Sequence, residues 1–154
     1  MLKGLDPRLN ADLLHALMAM GHGDDLVLVD ANFPADSVAR QTRLGRSLSM
    51  ENLSLPQALA AILTLYPLDD FVDDALARME VVGDPAAIPD VQAEAQRVVD
   101  AAEGRHRPLV GLERHAFYAR AANAYAIVRT GERRFYGNVA LRKGVVAPEP
   151  TRPT

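Results

Sequence analysis

The stretch Asp25-Leu26-Val27-Leu28-Val29-Asp30-Ala31 decides how the rest of the chain is read. Four aliphatic residues stand in a row with no polar residue alternating between them. A strand with one wet face alternates, whereas a strand covered on both faces does not, and helices above and below a parallel sheet are the usual cover. The segment therefore predicts a central strand of an α/β fold.

The neighbouring segments agree with that reading. On the N-terminal side, Asn10 to Met20 begins with a capping Asn, places Leu13, Leu14, Leu17 and Met18 at helical spacing, and stops at Gly21, a residue suited to a left-handed helix end. On the C-terminal side, Ser54-Leu55-Pro56-Gln57 reads as a capping box with Pro in the first turn. Leu55, Leu59, Ile62, Leu63 and Tyr66 continue one apolar face until Pro67. Leu76 to Val82 predicts a strand ended by Gly83-Asp84-Pro85, and Asp90 caps a helix with Val91, Ala95, Val98, Val99 and Ala102 inward, closed by Gly104. After Pro108 the pieces are short: a strand Leu109 to Leu112, a helix Glu113 to Ala122, a strand Tyr125 to Arg129, a turn at Thr130-Gly131 and a strand Val139 to Leu141. This alternation predicts an α/β domain with a partly parallel sheet over residues 1–147, and a flexible tail over 148–154, where Pro148, Pro150 and Pro153 crowd.

The composition narrows the function. A chain of 154 residues with 49% hydrophobic and 24% charged residues has the size and balance of one folded domain. Its 17 basic and 20 acidic residues leave a net charge of −3 with no basic run, so a nucleic-acid partner lacks its electrostatic footprint. There are no cysteines, which excludes disulfides, thiol nucleophiles and thiolate zinc sites. The most apolar stretch, Ala58 to Leu68, is far short of the roughly 20 residues that span a bilayer, and Met1 to Pro7 has no apolar signal region behind it. A cytoplasmic protein without a membrane partner is expected.

A few groups stand out as candidates for chemistry. Gly21-His22-Gly23 lets an imidazole stand out of a tight turn, and imidazole is the side chain closest to neutral titration, though an exposed His on a helix end looks the same. Asp30 sits at the carboxyl end of the buried strand, where α/β sheets place ligands; the rival reading is an Asp that caps the next turn through Asn32. Arg114 and Tyr118 share a helical face, and Tyr136-Gly137-Asn138 puts a glycine between two hydrogen-bonding side chains, a pattern that also makes ordinary turns. His15 and His106 read as surface residues. The four histidines show no metal-binding spacing, and there is no phosphate loop, dinucleotide fingerprint or serine elbow, so neither metal nor cofactor is expected. An imidazole, carboxylates, an Arg, a tyrosyl hydroxyl and an Asn amide suit a polyhydroxy ligand, a sugar, with one proton-shuttling group.

Six segments carry a family resemblance: MGHGD (20–24), LVDANFPA (28–35), YPLDDF (66–71), ERHAFYARA (113–121), AIVRTGERRFYGN (126–138) and LRKGV (141–145). In order and spacing they resemble the RbsD/FucU family of D-ribose pyranases and L-fucose mutarotases, from Leu2 to about Val146. The resemblance implies a three-layer α/β/α sandwich with a mostly parallel sheet, and a cofactor-independent isomerase that interconverts sugar anomers by ring opening. It implies His22 as proton donor, Asp30 as the carboxylate holding sugar hydroxyls, Arg114 as basic contact, Tyr136, Gly137 and Asn138 as the sugar loop, and Asp69 and Tyr118 as further catalytic residues. It also implies a homo-oligomer, a decamer of two pentameric rings, with sites shared between subunits. Arg114 and Gly137 match the fucose branch, where the ribose branch has His and Ala. Thr42 to Ser47 (TRLGRS) and His115 depart from the fucose pattern. A ribose-type pyranase and a non-catalytic sugar-binding subunit are the alternative readings.

Overall fold

The computed structural model describes residues 1–150. In chain order the elements are α1 (Ala11–Ala19), β1 (Asp25–Val29), α2 (Ala35–Ala39), β2 (Ser47–Met50), α3 (Leu55–Leu63), β3 (Leu76–Met79), α4 (Asp90–Glu103), β4 (Val110–Leu112), α5 (Arg114–Ala122), β5 (Ala126–Thr130) and β6 (Val139–Arg142). They build one six-stranded sheet in the order β2-β5-β1-β6-β3-β4. The pairs β1–β5, β2–β5 and β3–β4 are parallel, and β6 runs antiparallel to both of its neighbours, β1 and β3.

Both faces of the sheet are covered, which explains the unalternating strand. Leu26 and Leu28 of β1 pack with Leu13 and Leu17 of α1, Leu59 and Ile62 of α3, and Val91, Ala95 and Val99 of α4. Val27 and Val29 face the other way, onto Val38 and Ala39 of α2 and Phe117 and Ala121 of α5. All four strand side chains have 0% exposure. Burying each is worth about 1.5–3 kcal/mol, so the register of β1 is held from both sides and the residues at its two ends are placed firmly. The result is the three-layer α/β/α sandwich, with α1, α3 and α4 below and α2 and α5 above.

Several local expectations need correction. Helix α1 is capped by the Asn10 side chain as expected, but it ends through an extended Met20 and not a left-handed Gly21; the positive φ of 87° falls on Gly23. Met18 points to solvent, and Ala16 takes its place in the core. Helix α3 has the full capping box between Ser54 and Gln57 but stops at Leu63, short of Tyr66, whose hydroxyl instead donates to the Leu141 carbonyl at 3.0 Å. Asp90 lies inside the first turn of α4 behind Pro89 and makes no cap bond, so it acts only through its charge at the positive helix end. Strand β3 ends at Met79, leaving Val82 exposed in the turn that follows. Gly104 closes α4 with φ 68°, as read. Two elements, α2 and β2, had not been anticipated. The expected tail at 148–154 is exposed and without regular structure through Pro150, and its last four positions lie outside the described residues.

Candidate active site

The carboxyl end of β1 delivers Asp30 into a cavity of about 280 Å³, at the small end of the range for small-molecule sites. Its walls are Asn32, Phe33, Met79, Val82, Arg114, Tyr118, Phe135, Tyr136 and Asn138. They come from three loops at one end of the sheet and from the first turns of α5. Helix α5 is started there by Glu113, whose carboxylate accepts the His115 and Ala116 amides.

Asp30 is 4% exposed. One oxygen accepts the amides of Asn32 and Phe33 at 3.0 and 2.9 Å, and the other accepts the Gly137 amide at 3.2 Å. The turn-capping role is thus real, and so is the position in the pocket. Burial pushes the Asp30 carboxyl above its ordinary value, against the four hydrogen-bonding partners that pull it down.

The loop that ends at β6 is locked onto Asp30. Asn138 accepts the Asp30 amide through Oδ1 at 2.9 Å, which aims its amide nitrogen at the Met79 sulfur and the pocket. Tyr136 sits in the left-handed region with φ 62°, the one non-glycine residue to do so among the described residues. Its hydroxyl accepts the Val82 amide at 3.2 Å, which leaves the phenolic proton free to donate. Tyr118 stacks on Phe33 with ring centres 5.1 Å apart, and the Arg114 guanidinium lies 5.5 Å from the Tyr118 ring centre. Among the described residues Arg114 has no carboxylate partner within salt-bridge distance, so its charge is free for a ligand. The pocket therefore offers one carboxylate acceptor, an amide donor, two phenols and a cation around a stacked aromatic wall.

His22 and Asp69 are elsewhere. The His22 Nε2 lies 3.3 Å from Asp69 Oδ2, with the ring 47% exposed and Phe71 edge-on at 5.5 Å. Asp69 itself is 2% exposed. The Phe71 amide, and then His22, hold its carboxyl below the ordinary range. His22 precedes β1, and the Asp69 amide donates to the Arg142 carbonyl at the end of β6 that lies beside the start of β1, whereas Asp30 follows β1. A strand of five residues rises about 3.3 Å per residue, so the two groups stand at opposite ends of the sheet, roughly 15 Å or more apart.

Of the expected site residues the fold brings together Asp30, Arg114, Tyr118, Tyr136, Gly137 and Asn138, and separately His22 with Asp69. Tyr118 lies in the pocket with Arg114, with which it shares a helical face. His115 is exposed and does not line the pocket. Phe33, Met79, Val82 and Phe135 line it without having been singled out; Phe33 lay within the LVDANFPA segment, three residues past Asp30, and Phe135 within AIVRTGERRFYGN, next to Tyr136, so these two had a sequence signal. No group of three or more His, Asp or Glu side chains among the described residues is arranged to hold a metal ion, and no helix is long and apolar enough to cross a membrane.

The fold and the pocket define an α/β/α protein with a polar small-ligand site at one end of its sheet. Residues 3–146 match the RbsD / FucU transport protein family, and the chain belongs to this family. It is 42% identical to the fucose mutarotase of Homo sapiens, over 97% of each chain. A fucose mutarotase from Streptococcus pneumoniae, solved in complex with L-fucose, superposes with a TM-score of 0.85 at 38% identity, covering 95% of this chain and all of that one. A further crystal structure, provisionally described as a sugar-binding protein, superposes with a TM-score of 0.93 at 54% identity over 96% of this chain and 97% of that one.

Proposed function

We propose that the chain is an L-fucose-type mutarotase, a cofactor-independent isomerase that interconverts the α and β anomers of L-fucose or a related aldose. The observation that carries this reading is the convergence of the polar groups of Asp30, Asn138, Tyr136, Tyr118 and Arg114 around a cavity of about 280 Å³. A relative named as a fucose mutarotase, 42% identical over nearly the whole chain, supports it. Asp30, Arg114, Tyr136, Gly137 and Asn138 bind the sugar, and His22, Asp69 and Tyr118 handle protons.

The reaction needs little from the protein. The anomeric hydroxyl gives up its proton, the bond from the anomeric carbon to the ring oxygen breaks, and the ring oxygen takes up a proton. The aldehyde rotates, and the steps reverse on its other face. An imidazole oriented by a carboxylate can serve in both directions. Proton transfer worth roughly 10² to 10⁴ together with positioning accelerates a reaction that already proceeds in water.

Because His22 is too far from its own pocket to touch a sugar there, the reading places His22 of one copy at the pocket of the next. The working form is then a homo-oligomer, a decamer of two pentameric rings with each site shared. Residues 1–147 act as one domain with 148–154 as a tail, and the protein works in the cytoplasm.

Magnetisation-transfer NMR of anomer exchange, run with L-fucose and D-ribose, tests the assignment. Exchange of L-fucose should be enhanced more than that of D-ribose. Preference for ribose would move the protein to the pyranase reading, and saturable sugar binding without any enhanced exchange would make it a binding subunit.

A further inference from the structure

The two half-sites are joined by a polar ridge on α4. Gln92, Gln96, Asp100 and Glu103 recur at spacings of four, four and three, so they share one helical face. At 1.5 Å per residue they span about 16 Å, close to the length of the sheet between the two half-sites. Each residue bonds a loop and not a neighbouring helix.

At one end lies Gln92, 1% exposed. A buried amide is costly unless every polar atom is bonded. Its nitrogen donates to the carbonyls of Met79 at 2.7 Å and Tyr136 at 3.0 Å, and its oxygen accepts from Arg78 at 3.2 Å. The left-handed turn at Tyr136 directs its carbonyl inward, and Gln92 is the group that receives it. Both residues held by Gln92 line the sugar pocket.

At the other end the ridge holds Arg107. The Gln96 amide donates to the Arg107 carbonyl at 2.7 Å, Asp100 accepts the Arg107 amide at 2.9 Å, and Glu103 accepts from its guanidinium at 3.2 Å. The guanidinium, 9% exposed as a residue, reaches the Asp70 carboxylate and the Asp69 carbonyl, each at 2.8 Å. The segment that carries Asp69, and through it the His22 ring, is thereby clamped from α4.

We propose that this ridge is a positioning device for both halves of the site, with Gln92 setting the sugar loop and Arg107 setting the His22–Asp69 pair. The proposal rests on the mutarotase reading for its kinetic arm only. Gln92→Met and Arg107→Met remove the donors and keep the stems. Gln92→Met should raise KM for L-fucose about tenfold and leave kcat within about twofold, because it disturbs binding groups. Arg107→Met should lower kcat about tenfold with KM within about twofold, because it disturbs the proton carrier. NMR without sugar gives a second arm: Gln92→Met should shift the Gly137 amide and not the His22 ring protons, and Arg107→Met the reverse. If wild-type protein shows no anomer exchange, the proposed function falls and the two resonances alone judge the ridge. Equal effects on both parameters, or both resonances moving together, would overturn it as would no effect at all. Should a Met variant fail to fold, Gln92→Asn and Arg107→Lys carry the same comparison.

Discussion

At Gly137 a methyl group would sit 2.8 Å from the Glu132 Cγ and 3.4 Å from the Asp30 Cβ. The absent side chain is what lets the loop close over two buried carboxylates and put its amide on Asp30. Glu132 is itself 4% exposed and tied to Arg134 and the Leu55 amide, so it has little room to retreat. Gly137→Ala should therefore cost about 1–3 kcal/mol by overpacking, read from the urea midpoint, and should weaken sugar binding. An unchanged midpoint would mean that Glu132 moves freely. Asp69 supplies a pH-dependent effect with a definite sign. Its folded pKa lies below the ordinary aspartate value of 3.8, so its contribution is complete above that value and is lost as pH falls through the lower folded one. The stability gap between wild type and Asp69→Asn should close as pH falls below about 4. A gap that widened below about pH 4 would contradict the hydrogen bonds assigned to this carboxylate.

Among the elements, α3 has the clearest local code. Ser54 accepts the Gln57 amide while the Gln57 side chain accepts the Ser54 amide, and Leu55, Leu59 and Ile62 follow into the core. Ser54→Ala should lower stability by about 1 kcal/mol without changing the sugar pocket, as urea unfolding and ligand titration together would show. Elements with a strong local pattern were legible in the sequence: α1, α3 and α4 by a periodic apolar face, and β1 by its unbroken apolar run. The ones missed were short. Helix α2 has five residues behind a proline and no side-chain cap, and β2 buries only Leu48 and Met50 on its inner face. Helix α2 owes its form to β5 and α5 packed beside it, and β2 to its pairing with β5, which no local pattern records. The site was legible as a set of residues and not as a place. His22 and Asp30 are eight positions apart and look adjacent, yet the intervening strand carries them to opposite ends of the sheet. Gln92 and Arg107 act on main-chain carbonyls, and such roles leave no motif.

For the whole molecule, the separation of the two half-sites makes a prediction about mixtures. His22→Ala should fold and lose about 10² or more in exchange rate, and Arg114→Ala should fold and bind sugar poorly. If a site draws His22 from one copy and Arg114 from the next, subunit exchange between the two variants should restore a fraction of the wild-type rate, since some interfaces then combine two intact halves. A mixture no better than its components would confine the site to one chain. The position of β6 has a consequence for how such a chain is made. This strand is the last of the sheet in sequence, yet it lies in the middle, between β1 and β3. Until Val139 to Arg142 has been synthesised, the sheet is two separate ribbons, each with an apolar edge open to the solvent. A growing chain on the ribosome, or one cut short before Val139, therefore exposes β1 to any passing strand. Commitment to the native state arrives with those few final residues, and chaperone demand should fall sharply once they emerge.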